Sequence, residues 1–279
     1  MSQPVAYLGP PGTFTEQAAL QHSPDSQLTP YPNITAIAQA VTSGLAEEGL
    51  VPIENSLEGS VNDTLDVLIQ QKGLSICKEL VIPIEHCLIA KPGTELSDIK
   101  VVYSHPQALG QCRSFLEQFM PNSQPVASLS TAAAVKDMNL SNIVSAAIAP
   151  QRAAELNDAE ILQTNILGNS TNKTRFVVLA VKDSGPTGRD KTSLCFSFSG
   201  DSPGLLYNVL GEFYKRDINL AKVESRPSKQ SLGEYIFLID IHGHREDPRV
   251  KDAIDGLAQQ ASALKVFGSY PRWIQGEPA

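Results

Sequence analysis

The strongest constraint on the fold comes from the pattern after residue 190, where strand-like and helix-like segments follow one another in the order βαββαβ. The first segment, residues 192–199, alternates apolar and polar residues, as a half-buried strand does. A helix follows, in which we expect Ser202 as the N-cap and Pro203 at the first helical position. The remaining elements are predicted at residues 218–223 (strand), 234–241 (strand), 247–260 (helix) and 264–270 (strand). This order predicts a ferredoxin-like sheet with helices on one face.

A polar segment with two glycines and a proline, residues 182–190, separates this region from the rest of the chain. We therefore expect one domain at residues 1–183 and a second at residues 191–272. The first domain alternates short strands and helices, which predicts an α/β fold. Its predicted strands are residues 5–8, 49–53, 75–82, 87–90, 101–104, 146–149 and 175–180, and its predicted helices are residues 14–22, 34–43, 60–71, 106–118, 130–138 and 150–156.

Composition narrows the classes of function. The chain has 22 basic and 30 acidic residues, and its net charge of −8 disfavours nucleic acids and anionic membranes as partners. No apolar run has the roughly 18 residues that span a bilayer, and the first residues lack the pattern of a secretory leader. The four cysteines do not form a disulfide framework, so we expect a cytoplasmic protein with reduced thiols.

A metal site is conceivable only at His242 and His244, which would share one face of a strand. No cysteine or carboxylate cluster accompanies them at ligand spacing, so we predict a solvated strand end and no bound metal.

Four polar segments could carry chemistry, and the first follows the first strand. Thr13 and Glu16 have the spacing of a capping box, preceded by a turn that contains Gly12. The N–H groups at such a helix start could bind an anion. A plain turn and helix cap explains the same residues.

The second segment follows the strand at residues 49–53. Glu54, Asn55 and Ser56 cluster there, at a strand end of the kind where open α/β sheets bind ligands. An ordinary polar turn is the alternative interpretation.

The third segment begins with Ser104, a predicted N-cap, and Pro106 in the first turn. Gln107 and Gln111 would share one helical face. His105 could titrate near neutral pH, although a structural role is the alternative.

In the fourth segment, seven polar residues at 169–175 lead directly into an apolar strand. The segment is either a solvated loop or the edge of a cleft. Together the four segments would form a site rich in hydroxyls and amides, without a Cys–His dyad, a catalytic carboxylate pair or metal ligands. Such a site suits an anionic substrate whose reaction needs orientation and mild proton donation.

The same segments resemble the prephenate dehydratase family, in the order in which the family has them. The matching stretches are residues 9–15 (GPPGTFT), 52–59 (PIENSLEG), 104–109 (SHPQAL), 130–132 (STA) and 172–176 (NKTRF). The region after residue 190 resembles an ACT domain, the amino-acid-sensing module of such enzymes. Its matching stretches are residues 224–227 (ESRP) and, less closely, 204–207 (GLLY), in which Leu205 stands where the family usually has alanine.

The resemblance implies a lyase that converts prephenate to phenylpyruvate, CO2 and water in L-phenylalanine biosynthesis, without a cofactor. It implies that Thr174 protonates, or hydrogen-bonds to, the departing hydroxyl. We expect the other residues near the reacting centre to be Asn55, Ser104, Gln111 and Glu54, and the substrate-binding residues to be Gly12, Thr13, Phe14, Ser56, Arg175 and Phe176. Feedback inhibition by L-phenylalanine is expected through Pro203, Gly204, Leu205, Leu206, Glu224, Ser225, Arg226 and Pro227.

The resemblance also implies an architecture. The catalytic domain is expected to have two lobes like those of type II periplasmic binding proteins, one at about residues 1–80 and 165–183 and the other at about residues 81–164. Thr174 would then lie near Asn55 and Thr13. The ACT domains are expected to pair into a homodimer, with a dimer of dimers (homotetramer) as the full assembly.

Two alternatives remain open at this point. An arogenate dehydratase would use the amino analogue of prephenate and yield phenylalanine directly. A non-catalytic amino-acid sensor would bind its ligand without releasing CO2.

Overall fold

The computed structural model describes residues 4–167, 171–200, 202–229 and 233–274. Its contacts divide the chain into two compact units. The first contains the described residues up to Ile37, with Leu50–Val61 and Val81–Phe176. The second contains Ala38–Gly49, Asn62–Leu80 and the described residues from Val177 onward.

The described strands are β1 (Val5–Leu8), β2 (Leu28–Tyr31), β3 (Glu48–Asn55), β4 (Gly59–Ser60), β5 (Ser75–Pro83), β6 (Cys87–Ala90), β7 (Val101–Ser104), β8 (Gln124–Ala127), β9 (Ser145–Ala149), β10 (Glu160–Gln163), β11 (Lys173–Ala180), β12 (Asp190–Ser197), β13 (Leu220–Pro227), β14 (Tyr235–His242) and β15 (Ala263–Pro271). The described helices are α1 (Phe14–His22), α2 (Ile34–Thr42), α3 (Asn62–Gln70), α4 (Pro106–Gln111), α5 (Arg113–Phe119), α6 (Thr131–Leu140), α7 (Gln151–Glu155), α8 (Leu205–Tyr214) and α9 (Pro248–Ala258).

Two sheets organise the part of the chain before residue 184. One has the strand order β2-β1-β3-β11-β5, with β4 paired to β3, and the strands β3, β5 and β11 each contain residues of both units. The other, wholly in the first unit, has the order β10-β6-β9-β7-β8. Its strand β9 is buried along its whole length, as strands covered on both faces are. The mixed α/β architecture predicted from the sequence is therefore confirmed.

The second unit contains the predicted ferredoxin-like arrangement. The elements β12, α8, β13, β14, α9 and β15 follow in chain order, and the sheet has the order β13-β14-β12-β15. Leu194 and Phe196 of β12 pack with Val209 and Phe213 of α8 in a buried apolar core. The alternation in β12 and the helical spacing in α8 thus predicted the faces that meet in this core. The expectation that the strand is half-buried is wrong, because the other face of β12 is buried as well. Among the described helices, none has both the length and the apolar character needed to cross a lipid bilayer.

The predicted start of α8 is wrong by two residues. The helix begins at Leu205 and its N-cap is Gly204, not Ser202. Gly204 has a φ of 92°, in the left-handed region that glycine adopts without a steric penalty. Pro203 and Gly204 therefore form a turn before the helix, and Leu205 N donates to Ser202 O at 3.4 Å.

The third polar segment also differs from its prediction. The N-cap of α4 is His105, whose side chain accepts a bond from Gln107 N, and Ser104 ends strand β7. The helix predicted at residues 106–118 is divided into α4 and α5 at Cys112, which has φ and ψ of −91° and 9°. Cys112 is 1 % exposed, so its buried side chain continues the apolar spacing of the helices on either side. The sequence pattern therefore gave no sign of the break between α4 and α5.

Candidate active site

A tight hairpin between β3 and β4 positions the Asn55 side chain. Asn55 Oδ1 accepts hydrogen bonds from the backbone N–H groups of Leu57 (2.9 Å) and Glu58 (3.1 Å). Because these two donors fix the oxygen end of the amide, Asn55 Nδ2 must point the other way. It donates to Asn172 Oδ1 at 2.8 Å and to Thr174 Oγ1 at 2.9 Å. The backbone of the hairpin therefore sets the direction of the hydrogen bond to Thr174.

Thr174 lies at the start of β11 and is 8 % exposed. Its Oγ1 accepts the bond from Asn55, so the hydroxyl retains its own proton. No acceptor among the described residues takes that proton. The hydroxyl is thus free to donate its proton to a ligand.

Ser56 joins the hairpin to the segment before β11. Its backbone N–H donates to Lys173 O at 2.9 Å, and its Oγ accepts from Lys173 N at 3.0 Å. The hydroxyl also donates to Thr171 O at 3.2 Å. The predicted ligand contact of Ser56 therefore competes with bonds that hold two chain segments together. Asn169 and Ser170, which begin the polar run, lie outside the described residues.

The amide network continues from Asn172 to helix α4. Asn172 is 3 % exposed, and its Nδ2 donates to Gln111 Oε1 at 3.2 Å. Gln111 Nε2 in turn donates to Glu58 Oε1 at 3.0 Å. Asn55, Thr174 and Gln111, which the sequence placed in one site, thus belong to one hydrogen-bonded group.

His86 ends this network and was not expected from the sequence. It is 3 % exposed, and its Nε2 lies 3.3 Å from Gln111 Oε1. Its ring also packs edge-on against Phe14, with ring centres 5.4 Å apart. Burial lowers the pKa of His86, and the hydrogen bond to Gln111 opposes this effect only partly.

The start of α1 has the predicted Thr13 N-cap but not the second bond of a capping box, because the Glu16 carboxylate accepts from the N–H of Gly12 and not from that of Thr13. Thr13 Oγ1 accepts from Glu16 N at 3.3 Å, and the Glu16 carboxylate reaches back to Gly12 N at 2.7 Å. Tyr7 OH lies 3.5 Å from the same carboxylate, and burial together with the Glu16 charge raises the pKa of Tyr7. The N–H of Gly12 is therefore already occupied by Glu16, and a ligand carboxylate would have to displace it.

Three predicted site residues make no hydrogen bond to the Thr174 hydroxyl in the described part of the chain. Arg175 points to the opposite side of β11 by strand alternation, and its Nη1 lies 3.4 Å from Glu54 Oε2. Phe176 is 1 % exposed and belongs to the core, so it offers no surface to a ligand in this conformation. Ser104 is fully buried, and its hydroxyl donates to Ile148 O at 2.6 Å.

The family model described as prephenate dehydratase matches residues 5–184, and the model described as ACT domain matches residues 198–259. The chain belongs to the prephenate dehydratase family. The amide network and Thr174 fall within the first match, and β13 and α8 fall within the second.

Two curated relatives support the assignment of this chain to the prephenate dehydratase family. It is 44% identical over 275 residues to the bifunctional chorismate mutase/prephenate dehydratase of Aquifex aeolicus, covering 98% of this chain and 75% of the relative. It is 38% identical over 279 residues to the prephenate dehydratase of Methanocaldococcus jannaschii, covering 97% of this chain and 99% of the relative.

Two solved structures are similar over nearly the whole chain. Prephenate dehydratase from Arthrobacter aurescens in complex with L-Phe has a TM-score of 0.89 at 37% identity, covering 99% of this chain and 92% of that one. A protein described as GqqA, a novel type of quorum quenching acylase, has a TM-score of 0.87 at 31% identity, covering 97% and 98%.

The ACT-domain residues expected to bind an effector lie on β13, at the start of α8 and in the turn before α8. Leu205 and Leu206 are half-buried, whereas Pro203 and Gly204 are exposed in the preceding turn. On β13, Ser225 and Pro227 are exposed and Glu224 is half-buried; Arg226 is buried.

The Arg226 guanidinium forms an ion pair with Asp66 of α3, and Lys229 Nζ donates to the other oxygen of Asp66 at 2.7 Å. Burial alone would raise the pKa of Asp66, but the hydrogen bond from Lys229 and the charge of Arg226 hold it below its usual value. In this conformation the Arg226 side chain therefore contacts α3.

No group of three or more His, Cys, Asp or Glu side chains that could hold a metal ion occurs in the part of the chain that the structure describes.

Proposed function

We propose that this protein converts prephenate to phenylpyruvate, CO2 and water. The observation that carries the proposal is the direction of the hydrogen bond from Asn55 Nδ2 to Thr174 Oγ1, which leaves the Thr174 proton available to a ligand. In this reaction the electron pair of the ring C–CO2 bond moves into the ring, and the ring hydroxyl departs with the electron pair of its C–O bond. The hydroxyl needs one proton to leave as water. Thr174 donates this proton, or hydrogen-bonds to the departing oxygen, and solvent water restores the proton that the step consumes. General acid assistance of this kind is worth about 10²–10⁴-fold in rate.

Membership of the prephenate dehydratase family supports the same reaction. We assign to Asn55, Asn172 and Gln111 the role of holding the Thr174 hydroxyl in place. Arg175 carries the positive charge suited to a substrate carboxylate, but in this conformation it pairs with Glu54 on the face of β11 opposite Thr174. A substrate-binding role would require the guanidinium to exchange Glu54 for the substrate and turn toward the Thr174 side. The geometry favours a supporting role for Ser104 rather than a substrate contact, because its proton is bonded to the backbone of β9.

A nucleophilic acylase mechanism fits the described site less well. A threonine nucleophile needs an adjacent base that takes its proton. The partner of Thr174 Oγ1 is instead the Asn55 amide, which donates. We therefore propose a dehydratase rather than an amide hydrolase, despite the similarity to GqqA.

Arogenate differs from prephenate in carrying an amino group in place of a keto group, and it is the second substrate to test. Prephenate and arogenate should be offered separately to the purified protein, with phenylpyruvate read as its enolate absorbance in alkali and phenylalanine by chromatography. We expect phenylpyruvate from prephenate. Conversion of arogenate alone would move the assignment to arogenate dehydratase, and turnover of neither would leave an amino-acid sensor.

We also propose that L-phenylalanine inhibits the enzyme through the ACT domain. The ACT match and the L-Phe bound in the Arthrobacter aurescens structure support this regulation. Adding L-phenylalanine to the prephenate assay should lower the rate, whereas alanine at the same concentration should not. An unchanged rate at saturating L-phenylalanine would contradict the regulatory proposal and leave the catalytic one intact.

Assembly and location complete the proposal. We propose a dimer of dimers that pairs through the ACT domains, because β13 is an edge strand of its sheet in the described residues and exposes Val223 and Ser225. Light scattering at micromolar concentration should give the mass of four chains.

A cytoplasmic location is supported by the free state of all four cysteines.

A further inference from the structure

The buried ring of His86 lies next to the amide network but outside every stretch that resembles the family motifs. It follows strand β5 and precedes β6, and its backbone oxygen accepts from Ile166 N at 3.0 Å. The ring packs against Phe14 in a T-shaped pair, and Nε2 lies 3.3 Å from Gln111 Oε1. The backbone bond and the Phe14 contact together restrict both the position and the plane of the ring.

The direction of every bond in the network follows from its backbone end. The Leu57 and Glu58 N–H groups fix the oxygen of Asn55, so Asn55 Nδ2 donates to the oxygen of Asn172. Asn172 Nδ2 must then donate to Gln111, whose oxygen therefore faces both Asn172 and His86. An oxygen cannot donate, so His86 Nε2 must carry the proton of this bond.

The other ring nitrogen supports a neutral ring. His86 Nδ1 is buried and has no hydrogen-bond partner among the described residues. A proton on Nδ1 would create a buried N–H without an acceptor, which is costly, whereas a bare lone pair costs less. The ring is therefore fixed as the neutral tautomer with its proton on Nε2.

We infer that His86 is a positioning residue, which holds the Gln111 amide in one orientation and, through Asn172 and Asn55, keeps the Thr174 hydroxyl directed toward the substrate. This inference rests on the proposed function, since the orientation matters for the proton that Thr174 supplies. Without the His86 donor, the Gln111 amide loses one of the three hydrogen bonds that orient it and keeps those with Asn172 and Glu58. The hairpin backbone would still orient Asn55, but Gln111 and Asn172 would be held less firmly beside Thr174.

A double-mutant cycle on kcat and KM tests the inference. His86→Leu removes the donor, His86→Gln keeps a donor N–H at the end of a similar side chain, and Gln111→Met removes the group on which His86 is inferred to act. Because small misplacements near a reacting group cost up to about 100-fold, we expect His86→Leu to lower kcat at least about 10-fold with little change in KM. We expect His86→Gln to recover most of the rate, and His86→Leu to have no further effect in the Gln111→Met background. Equal losses in both backgrounds, or a His86→Gln variant as slow as His86→Leu, would overturn the inference.

A measurement that does not depend on turnover keeps the two proposals separable. The 15N shifts of the histidine rings of the whole protein at pH 7, assigned by comparison with the His86→Gln variant, report which nitrogen holds the proton. We expect His86 to be neutral and protonated on Nε2, and a proton on Nδ1 would overturn the inference. Absence of prephenate turnover by the unmodified protein would instead count against the proposed function, and the tautomer would still decide whether His86 orients Gln111. The melting temperatures of all variants show whether a loss of activity comes from unfolding.

Discussion

The side-chain amide of Asn55 donates a 2.9 Å hydrogen bond to Thr174 Oγ1, although 119 residues separate the two in the chain. Both residues belong to the first compact unit. The bond has one possible direction, because the backbone of Leu57 and Glu58 occupies the oxygen of Asn55. The direction of this one bond decides whether Thr174 can act as a proton donor.

Reversing that bond should reverse the role of Thr174. Asn55→Asp keeps the oxygen that the hairpin backbone needs but replaces the donor with an acceptor. The new carboxylate would accept a hydrogen bond from the Thr174 hydroxyl and withdraw it from the substrate. We therefore expect kcat to fall by about 10²-fold or more at pH 8, with partial recovery as the pH is lowered and the carboxyl becomes protonated. The pH dependence of kcat for prephenate measures this. Asn33→Asp is the matched control, since Asn33 Oδ1 also accepts a backbone N–H, from Ala36. A profile for Asn55→Asp that follows the wild-type profile would contradict the assigned direction.

The buried state of His86 predicts a dependence of stability on pH. Burial, opposed only in part by Gln111, lowers the pKa of His86 in the folded protein. The unfolded chain therefore binds more protons as the pH falls below about 6.5, and the free energy of unfolding should decrease there. Denaturant unfolding at pH 7.5 and 5.5 measures the loss, and His86→Gln should reduce it. Burial, followed by the charges of Arg272 and Lys191, lowers the pKa of His242 as well, so only the difference between the two proteins isolates His86. Equal losses in both would show that His86 does not contribute.

Gly12 should not tolerate a side chain. Its φ is 89°, and an added Cβ would lie 3.1 Å from Ala153 Cα and 3.2 Å from Ala153 Cβ. Gly12→Ala should therefore cost the roughly 1–2 kcal/mol of a left-handed conformation and a further penalty for crowding the backbone of α7. Gly44→Ala is the control, because Gly44 has a φ of 75° with nothing within 4 Å of the added atom. Denaturant unfolding compares the two variants, and equal destabilisation would show that the Ala153 contact is not restrictive.

The charge of Asp66 should stabilise the second unit. The Arg226 side chain is 8% exposed and pairs with Asp66, whereas Lys229 is 62% exposed. Asp66→Asn leaves Arg226 buried without its counter-charge, so we expect a loss of about 1–2 kcal/mol, less than for a fully buried pair because Asp66 is partly exposed. Lys229→Ala should cost less than about 1 kcal/mol. Chemical denaturation distinguishes the two, and an Asp66→Asn variant as stable as wild type would show that the pair contributes nothing.

Local features could be predicted from the sequence because their partners are close in the chain. The predicted N-cap bond joins Thr13 and Glu16, which are three residues apart, and the structure has it, although the Glu16 carboxylate bonds Gly12 N rather than Thr13 N. The strands β2, β8 and β10 were missed because they lie at sheet edges or are largely exposed, and Pro30 and Pro125 interrupt the strand pattern.

The site itself could not be assembled from spacing alone. Asn55 and Thr174 came together in the prediction only through the resemblance to a family. His86 lacked any local signal, since its partner Gln111 lies 25 residues away and belongs to a separate helix. Arg175 and Phe176 follow Thr174 in the same motif, but strand alternation places Arg175 on the other face of β11, and Phe176, on the Thr174 face, is buried in the core.

Thr174 offers the most direct test of the account. The rate of phenylpyruvate formation from prephenate should be measured for the wild type, Thr174→Ser and Thr174→Ala under identical conditions. Because serine keeps the hydroxyl beside Asn55 and alanine removes it, Thr174→Ser should retain much of the rate. Thr174→Ala should lose about 10²–10⁴-fold in kcat with little change in KM. A Thr174→Ala variant with wild-type kcat would remove Thr174 from the chemistry and contradict the account.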